Sequence, residues 1–146
     1  YLRKIISIKI MERVFASSLC FSVLVVLISI IPLTLGRIKA GYSFENMSAP
    51  RAFFDELPEF GKRAVWCHQN CWESISLHAP ACLLCMISLP DSNLSLLAAL
   101  IHPFMRLIYI GAYVFNFPIL RGLLWGSGIL SSLILYEESL IKFFNI

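Results

Sequence analysis

The chain has 146 residues, of which 58% are hydrophobic and 14% charged; a soluble domain of this size carries about a quarter charged residues. Its mean hydropathy of +0.77 and its dispersed net charge of +3 argue against a soluble class. They also exclude a nucleic-acid reader, which needs a basic run with interleaved aromatics. One membrane-embedded domain, residues 1–146, is expected at this length.

Residues 1–13 (YLRKIISIKIMER) mix Arg3, Lys4, Lys9 and Arg13 with isoleucines. They suit a short segment lying at the membrane surface, with cations at the headgroups, or equally a basic flank of the next helix. The sequence opens at Tyr1, so a longer precursor and an internal start at Met11 are both compatible with it. No basic-apolar-small cleavage pattern marks a removable signal peptide. Residues 14–36 hold no charge and form the first expected span, because roughly 20 apolar residues cross a hydrocarbon core. Pro32 lies near its exit, and Arg37 and Lys39 mark the interface.

Residues 37–60 are the longest polar segment, with Gly41, Asn46, Pro50 and Pro58 among four acids. A loop is expected there, with a helical turn near Arg51–Leu57. Residues 61–89 form the second span, bent at Pro80. Pro90-Asp-Ser-Asn93 stops it, and one of Asp91, Ser92 or Asn93 caps the next helix. Residues 93–117 form the third span, kinked by Pro103 near His102 and ended by Pro118. Residues 119–138 form the fourth, with Trp125 suited to an interface. Short connections make neighbours antiparallel, so the expected fold is all-α, an integral membrane four-helix up-down bundle. Both termini then share one side. Lysine and arginine are too evenly spread to set the orientation, and an organellar or a bacterial inner membrane suits the chain equally.

Two polar stripes break the apolar pattern. Arg63, Asn70 and Glu73 recur at steps of seven and three, which places them on one helical face. His102, Arg106, Tyr109 and Tyr113 follow at steps of four, three and four on the next helix. Charges in hydrocarbon require partners, and Glu73 with Arg106 is the expected pair. One reading is that the pair, with Asn70 and a tyrosine, fixes the bundle's register. The other is a polar pocket near one membrane face. There Arg63, Arg121 and Arg37 would attract an anion, and Asn70, Tyr109 and Tyr113 would orient it. His68 reads as a helix-contact residue, and His78 has no evident partner. Five cysteines, Cys20, Cys67, Cys71, Cys82 and Cys85, fall in apolar runs and read as small packing residues. A zinc site from Cys67, His68 and Cys71 is disfavoured, so no metal is expected.

The second predicted helix reads Arg63-x4-His68-x-Asn70-x2-Glu73. It resembles the signature of the membrane-associated proteins in eicosanoid and glutathione metabolism, the MAPEG family of microsomal glutathione transferases and a prostaglandin E synthase. Asn46-x3-Pro50-Arg51 before it resembles the bacterial-type branch. So do Glu73-Ser-x6-Ala81, Arg106-Leu-x-Tyr109-x3-Tyr113 and Arg121-x3-Trp125 after it. The likeness spans about residues 42–128. It implies a four-helix membrane bundle, a homotrimer, and glutathione as co-substrate between subunits. It further implies that Asn70 and Glu73 lie at the glutathione site, with Arg106 pairing Glu73 and Tyr113 touching the tripeptide. Arg121 would hold the thiolate as the catalytic residue. A cation beside a thiol lowers its pKa and frees the nucleophile. Three features depart from the family pattern. Gly122 stands where a serine commonly follows that arginine. Trp66 and Gln69 occupy the places where an additional arginine is found, and Tyr109 replaces a histidine.

Two functions are therefore expected from different classes. One is a glutathione-dependent transferase or peroxidase acting on lipophilic electrophiles as a homotrimer. The other is a non-catalytic member docked as a single subunit in a larger respiratory or photosynthetic membrane complex, which the Gly122 departure favours. A channel is a weaker third reading, because no inverted repeat or broken-helix pair is present. Lipid surrounds the chain in each, and nucleic acid enters none.

Overall fold

The computed structural model describes residues 2–144, and for residues 2–5 and 7 the backbone alone. The helices are α1 (Leu2–Ile28), α2 (Ile30–Lys39), α3 (Glu59–Ser88), α4 (Asn93–Val114) and α5 (Pro118–Phe144). Four candidate membrane spans result, because α1 from Ile8 and α2 together make one of 32 residues. The expected four-helix bundle is thus the observed one.

Of the two readings of residues 1–13, the flank of the next helix is the one that fits: they form the first turns of α1, which runs on from Leu2; Tyr1 lies outside the described residues. The first span is also not one smooth helix. It breaks at Ser29, and Pro32 is the reason. Proline has no N–H for the carbonyl four residues back, and its ring collides with it. That carbonyl is Ile28, where α1 ends. The Ser29 hydroxyl donates to Val26 O at 2.6 Å, which supports the bend.

The polar connection holds two short 3-10 turns, Phe44–Ser48 and Ala52–Phe54. Ser92 is the N-cap of α4, its hydroxyl accepting from Leu94 N and Ser95 N. Pro118 does more than end the third span. It opens α5, where a missing N–H costs nothing. Pro80 and Pro103 lie inside continuous helices.

The α3 helix buries a row of small side chains, Gly61, Ala64, Cys67, Cys71, Ala81, Cys82 and Cys85. Small residues let neighbouring helices approach, the usual basis of packing in lipid. Many large aliphatic and aromatic side chains of the four spans face outward, among them Leu27, Leu83, Phe104 and Leu133, while Phe15, Tyr109 and Leu135 are buried. At the loop end, α2 crosses α3 with Gly36 against Gly61. A Cβ at Gly36 would sit 2.8 Å from Gly61 Cα, which is backbone and cannot yield. Gly36→Val is accordingly expected to push α2 off α3 and to lower stability by about 1–3 kcal/mol. Thermal unfolding in mild detergent measures this, and an unchanged midpoint would show that the crossing is not needed.

Candidate functional site

The loop end of the bundle gathers the start of α3, the end of α4, the start of α5 and α2. Arg63 Nε donates to Val114 O at 3.2 Å and ties the first two together. Two features meet at this end.

The first is a ladder of arginine and tyrosine. The Arg106 guanidinium lies over the Tyr109 ring at 4.3 Å. Tyr109 meets Tyr113 edge to face at 5.4 Å, and Arg121 lies over Tyr113 at 4.6 Å. Tyr109, Tyr113 and Arg106 are buried, and Arg121 is half-buried. The stripe expected on the third span is therefore a physical unit, and Arg121 extends it onto α5. Cations over ring faces are held by the ring quadrupole, more strongly where water is excluded.

The second is a cavity of about 570 Å³ between α2, the polar connection and α3. Its volume is that of a small-molecule pocket. Arg37 and Arg51 supply positive charge, His68 and Gln69 supply polar groups, and Trp66 and Trp72 supply apolar wall. Arg51, Trp72 and His68 were not expected at a site. Arg51 sits in a non-periodic loop, where no spacing signals its direction.

The stripe expected on the second span is only partly assembled. Arg63 and Asn70 are half-buried, whereas Glu73 is exposed. The expected Glu73–Arg106 pair is not formed. Among the described residues the one ion pair is Lys62–Glu59 at 3.8 Å. Arg106 instead donates to the backbone carbonyl of Asn70. The cause is helical phase: the buried row of α3 runs through Cys67 and Cys71, and Glu73 is turned away from it. The Asn70 side chain folds back to its own helix, Nδ2 donating to Trp66 O at 3.0 Å.

His68 is a helix-contact residue, as expected. Its Nδ1 hydrogen-bonds with Ser29 Oγ at 2.7 Å, and Trp72 Nε1 donates to its Nε2 at 3.2 Å. His78, which has no evident partner in the sequence, is the centre of a buried network. Its ring stacks on His102 at 3.5 Å and 5°. Its Nε2 lies 2.9 Å from Ser18 Oγ, and its Nδ1 lies 3.2 Å from Ser132 Oγ. His102 in turn meets Ser22 at 3.2 Å and Ser74 at 3.0 Å. All four spans contribute. Pro103 leaves the Ala99 carbonyl without its helical donor, and Ser18 donates to it instead. A signal was present in the sequence: His78 lies one to two turns from Cys71, Cys82 and Cys85 on the same face.

All five cysteines are free thiols, and among the described residues no group of histidine, cysteine and acid is placed to hold a metal. No curated protein and no solved structure matches the chain. A family model does: that of the MAPEG family fits residues 14–140, which take in most of the first and last spans, all of the two between, both polar features and the buried network. The chain therefore belongs to the MAPEG family, as a multi-pass integral membrane protein.

Proposed function

We propose that the chain is a glutathione-dependent membrane enzyme, conjugating glutathione to lipophilic electrophiles or reducing lipid hydroperoxides as a homotrimer. The observation that carries this reading is the pairing of an arginine-bearing cavity with the Arg106–Tyr109–Tyr113–Arg121 ladder at one end of the bundle. Glutathione has two carboxylates and a thiol. Arg37 and Arg51 suit the carboxylates, since guanidinium binds carboxylate in a bidentate fork. Arg121 suits the thiolate, because a fixed cation beside a thiol favours its ionised, nucleophilic form. The tryptophan wall and the surrounding lipid suit an apolar second substrate.

Asn70 and Glu73 keep their family role best in a trimer. Glu73 is exposed on the single chain, and an exposed carboxylate at membrane depth calls for a partner. A neighbouring subunit supplies one.

The second reading, a non-catalytic subunit of a larger membrane complex, is favoured by Gly122, which offers no hydroxyl beside Arg121. Native mass spectrometry of the protein in mild detergent, with and without glutathione, separates the two. A trimer that gains one to three glutathione masses supports the enzyme. A single copy travelling with a larger assembly, blind to glutathione, sinks it.

A further inference from the structure

His68 stands on the wall of the large cavity, and its neighbours assign both of its ring nitrogens. The Ser29 hydroxyl has one hydrogen, which it gives to Val26 O at 2.6 Å. Toward His68 Nδ1, 2.7 Å away, its oxygen can only accept, so Nδ1 carries the N–H. On the other side of the ring, Trp72 Nε1 donates to His68 Nε2 at 3.2 Å. An indole nitrogen is a donor only, so Nε2 presents a lone pair. Both contacts demand the same neutral tautomer. Nδ1 faces the break between α1 and α2, and Nε2 faces Trp72, a cavity-wall side chain that is 57% exposed.

The rest of the wall gives this lone pair its meaning. Among the described residues that line the cavity are two guanidiniums, Arg37 and Arg51, and no carboxylate. Glutathione carries an ammonium on its γ-glutamyl end as well as two carboxylates. The arginines suit the carboxylates, but a guanidinium has donors alone and accepts nothing from an ammonium. An ammonium taken out of water needs an acceptor. Glu73, the nearest acid in sequence, is turned outward and is not part of the wall. Gln69 lines the cavity but is exposed. His68 Nε2 is the acceptor whose lone pair is fixed in place. Its present donor can yield, because the exposed Trp72 ring is free to turn outward. A hydrogen bond from a cation is also about twice as strong as one from a neutral N–H.

We propose that His68 Nε2 accepts a hydrogen bond from the γ-glutamyl ammonium of glutathione, and that His68 thereby selects thiols bearing a free α-ammonium. This rests on the glutathione reading of the cavity and adds to it the group that recognises the third charge of the ligand. Ser29 is the positioning residue behind it. Its donation to Val26 O keeps the proton on Nδ1 and the lone pair on Nε2.

The test is isothermal titration calorimetry of the purified full-length protein in mild detergent with two probes. One is glutathione; the other is glutaryl-cysteinyl-glycine, which lacks the amine and keeps both carboxylates and the thiol. The wild type is expected to bind glutathione about tenfold or more tighter, the worth of a hydrogen bond to a charged group. His68→Phe keeps a flat ring against Ser29 and leaves that hydroxyl its Val26 partner. It is expected to weaken glutathione about tenfold and to leave the analogue unmoved, so that the discrimination disappears. Equal weakening of both probes would mark a packing role and overturn the proposal. Discrimination that survives in the variant overturns it as well, and assigns the ammonium to another acceptor such as a carboxylate of a neighbouring subunit. A wild type that binds both probes equally overturns this proposal and leaves the glutathione reading standing; one that binds neither sinks both. Should His68→Phe fail to fold, Trp72→Phe reads the same point at an exposed position. It frees Nε2 and is expected to tighten glutathione about threefold without moving the analogue, and an equal change for both probes overturns the proposal.

Discussion

Arg121→Gln is expected to lower kcat/KM for glutathione conjugation by about 10²–10³-fold while leaving the bundle intact. The size follows from removing one fixed group that stabilises a developing or existing anion in a site shielded from water. The intact fold follows from position. Arg121 is half-buried at the first turn of α5, and its guanidinium contacts the Tyr113 ring rather than a buried acid. Glutamine keeps the stem that covers apolar surface. The converse substitution is as informative. Nothing lies within 4 Å of a Cβ built on Gly122, so Gly122→Ser meets no obstacle. It supplies the hydroxyl that the family pattern places after this arginine. A gain of about tenfold or more in kcat/KM is expected if the missing donor limits the rate. Steady-state kinetics with a lipophilic electrophile and varied glutathione measures both. An Arg121→Gln enzyme as fast as the parent would remove Arg121 from the chemistry. A chain inactive before and after Gly122→Ser would favour the non-catalytic subunit.

The spans and their caps were legible because their causes are local. Unbroken apolar length gives a span, and Pro90-Asp-Ser-Asn93 before a helical run gives a cap, Ser92 among the three candidates; Pro118 reads in sequence as the end of the third span, whereas it opens α5. The break after Ile28 was equally local, since it lies four residues before Pro32, but the length of the apolar run hid it. The ladder was legible on α4 because steps of four and three keep side chains on one face. What the sequence did not disclose depends on helical phase between elements. Glu73 and Arg106 look like partners when each stripe is read alone, yet Glu73 points outward while Arg106 points inward. Arg51 reaches the large cavity only through the path of the polar connection. His78 shares a face with Cys82, whose Sγ lies 3.2 Å from its Nε2, but its stacking and serine partners are 24 to 60 residues away, and no spacing rule connects those positions.

The buried histidines make the sharpest stability prediction, because hydrogen-bond counting separates two otherwise similar substitutions. His78 and His102 are 0% and 1% exposed and stack face to face. Phenylalanine at either place keeps a flat ring in the stack and adds a similar overpacking cost, about 1–3 kcal/mol. The serines they leave behind differ. Ser18 Oγ has Ala99 O within hydrogen-bond reach, and Ser132 Oγ has Gly128 O at 3.2 Å. Both keep a backbone partner when His78 is lost. Ser22 and Ser74 meet only His102. His102→Phe therefore strands the buried Ser22 hydroxyl and the half-buried Ser74 hydroxyl, and a buried unsatisfied polar group costs about 1–3 kcal/mol. Rotation of a serine toward the carbonyl one turn back recovers part of this. His102→Phe is thus expected to be less stable than His78→Phe by about 2 kcal/mol. Adding Ser22→Ala and Ser74→Ala to His102→Phe should restore much of that difference, since the stranded groups are then gone. Unfolding in detergent, by heat or by added SDS, gives the order directly. Equal losses at the two positions would mean that stacking, not hydroxyl satisfaction, holds the centre of the bundle. A rescue by the two alanines would locate the cost in Ser22 and Ser74 themselves.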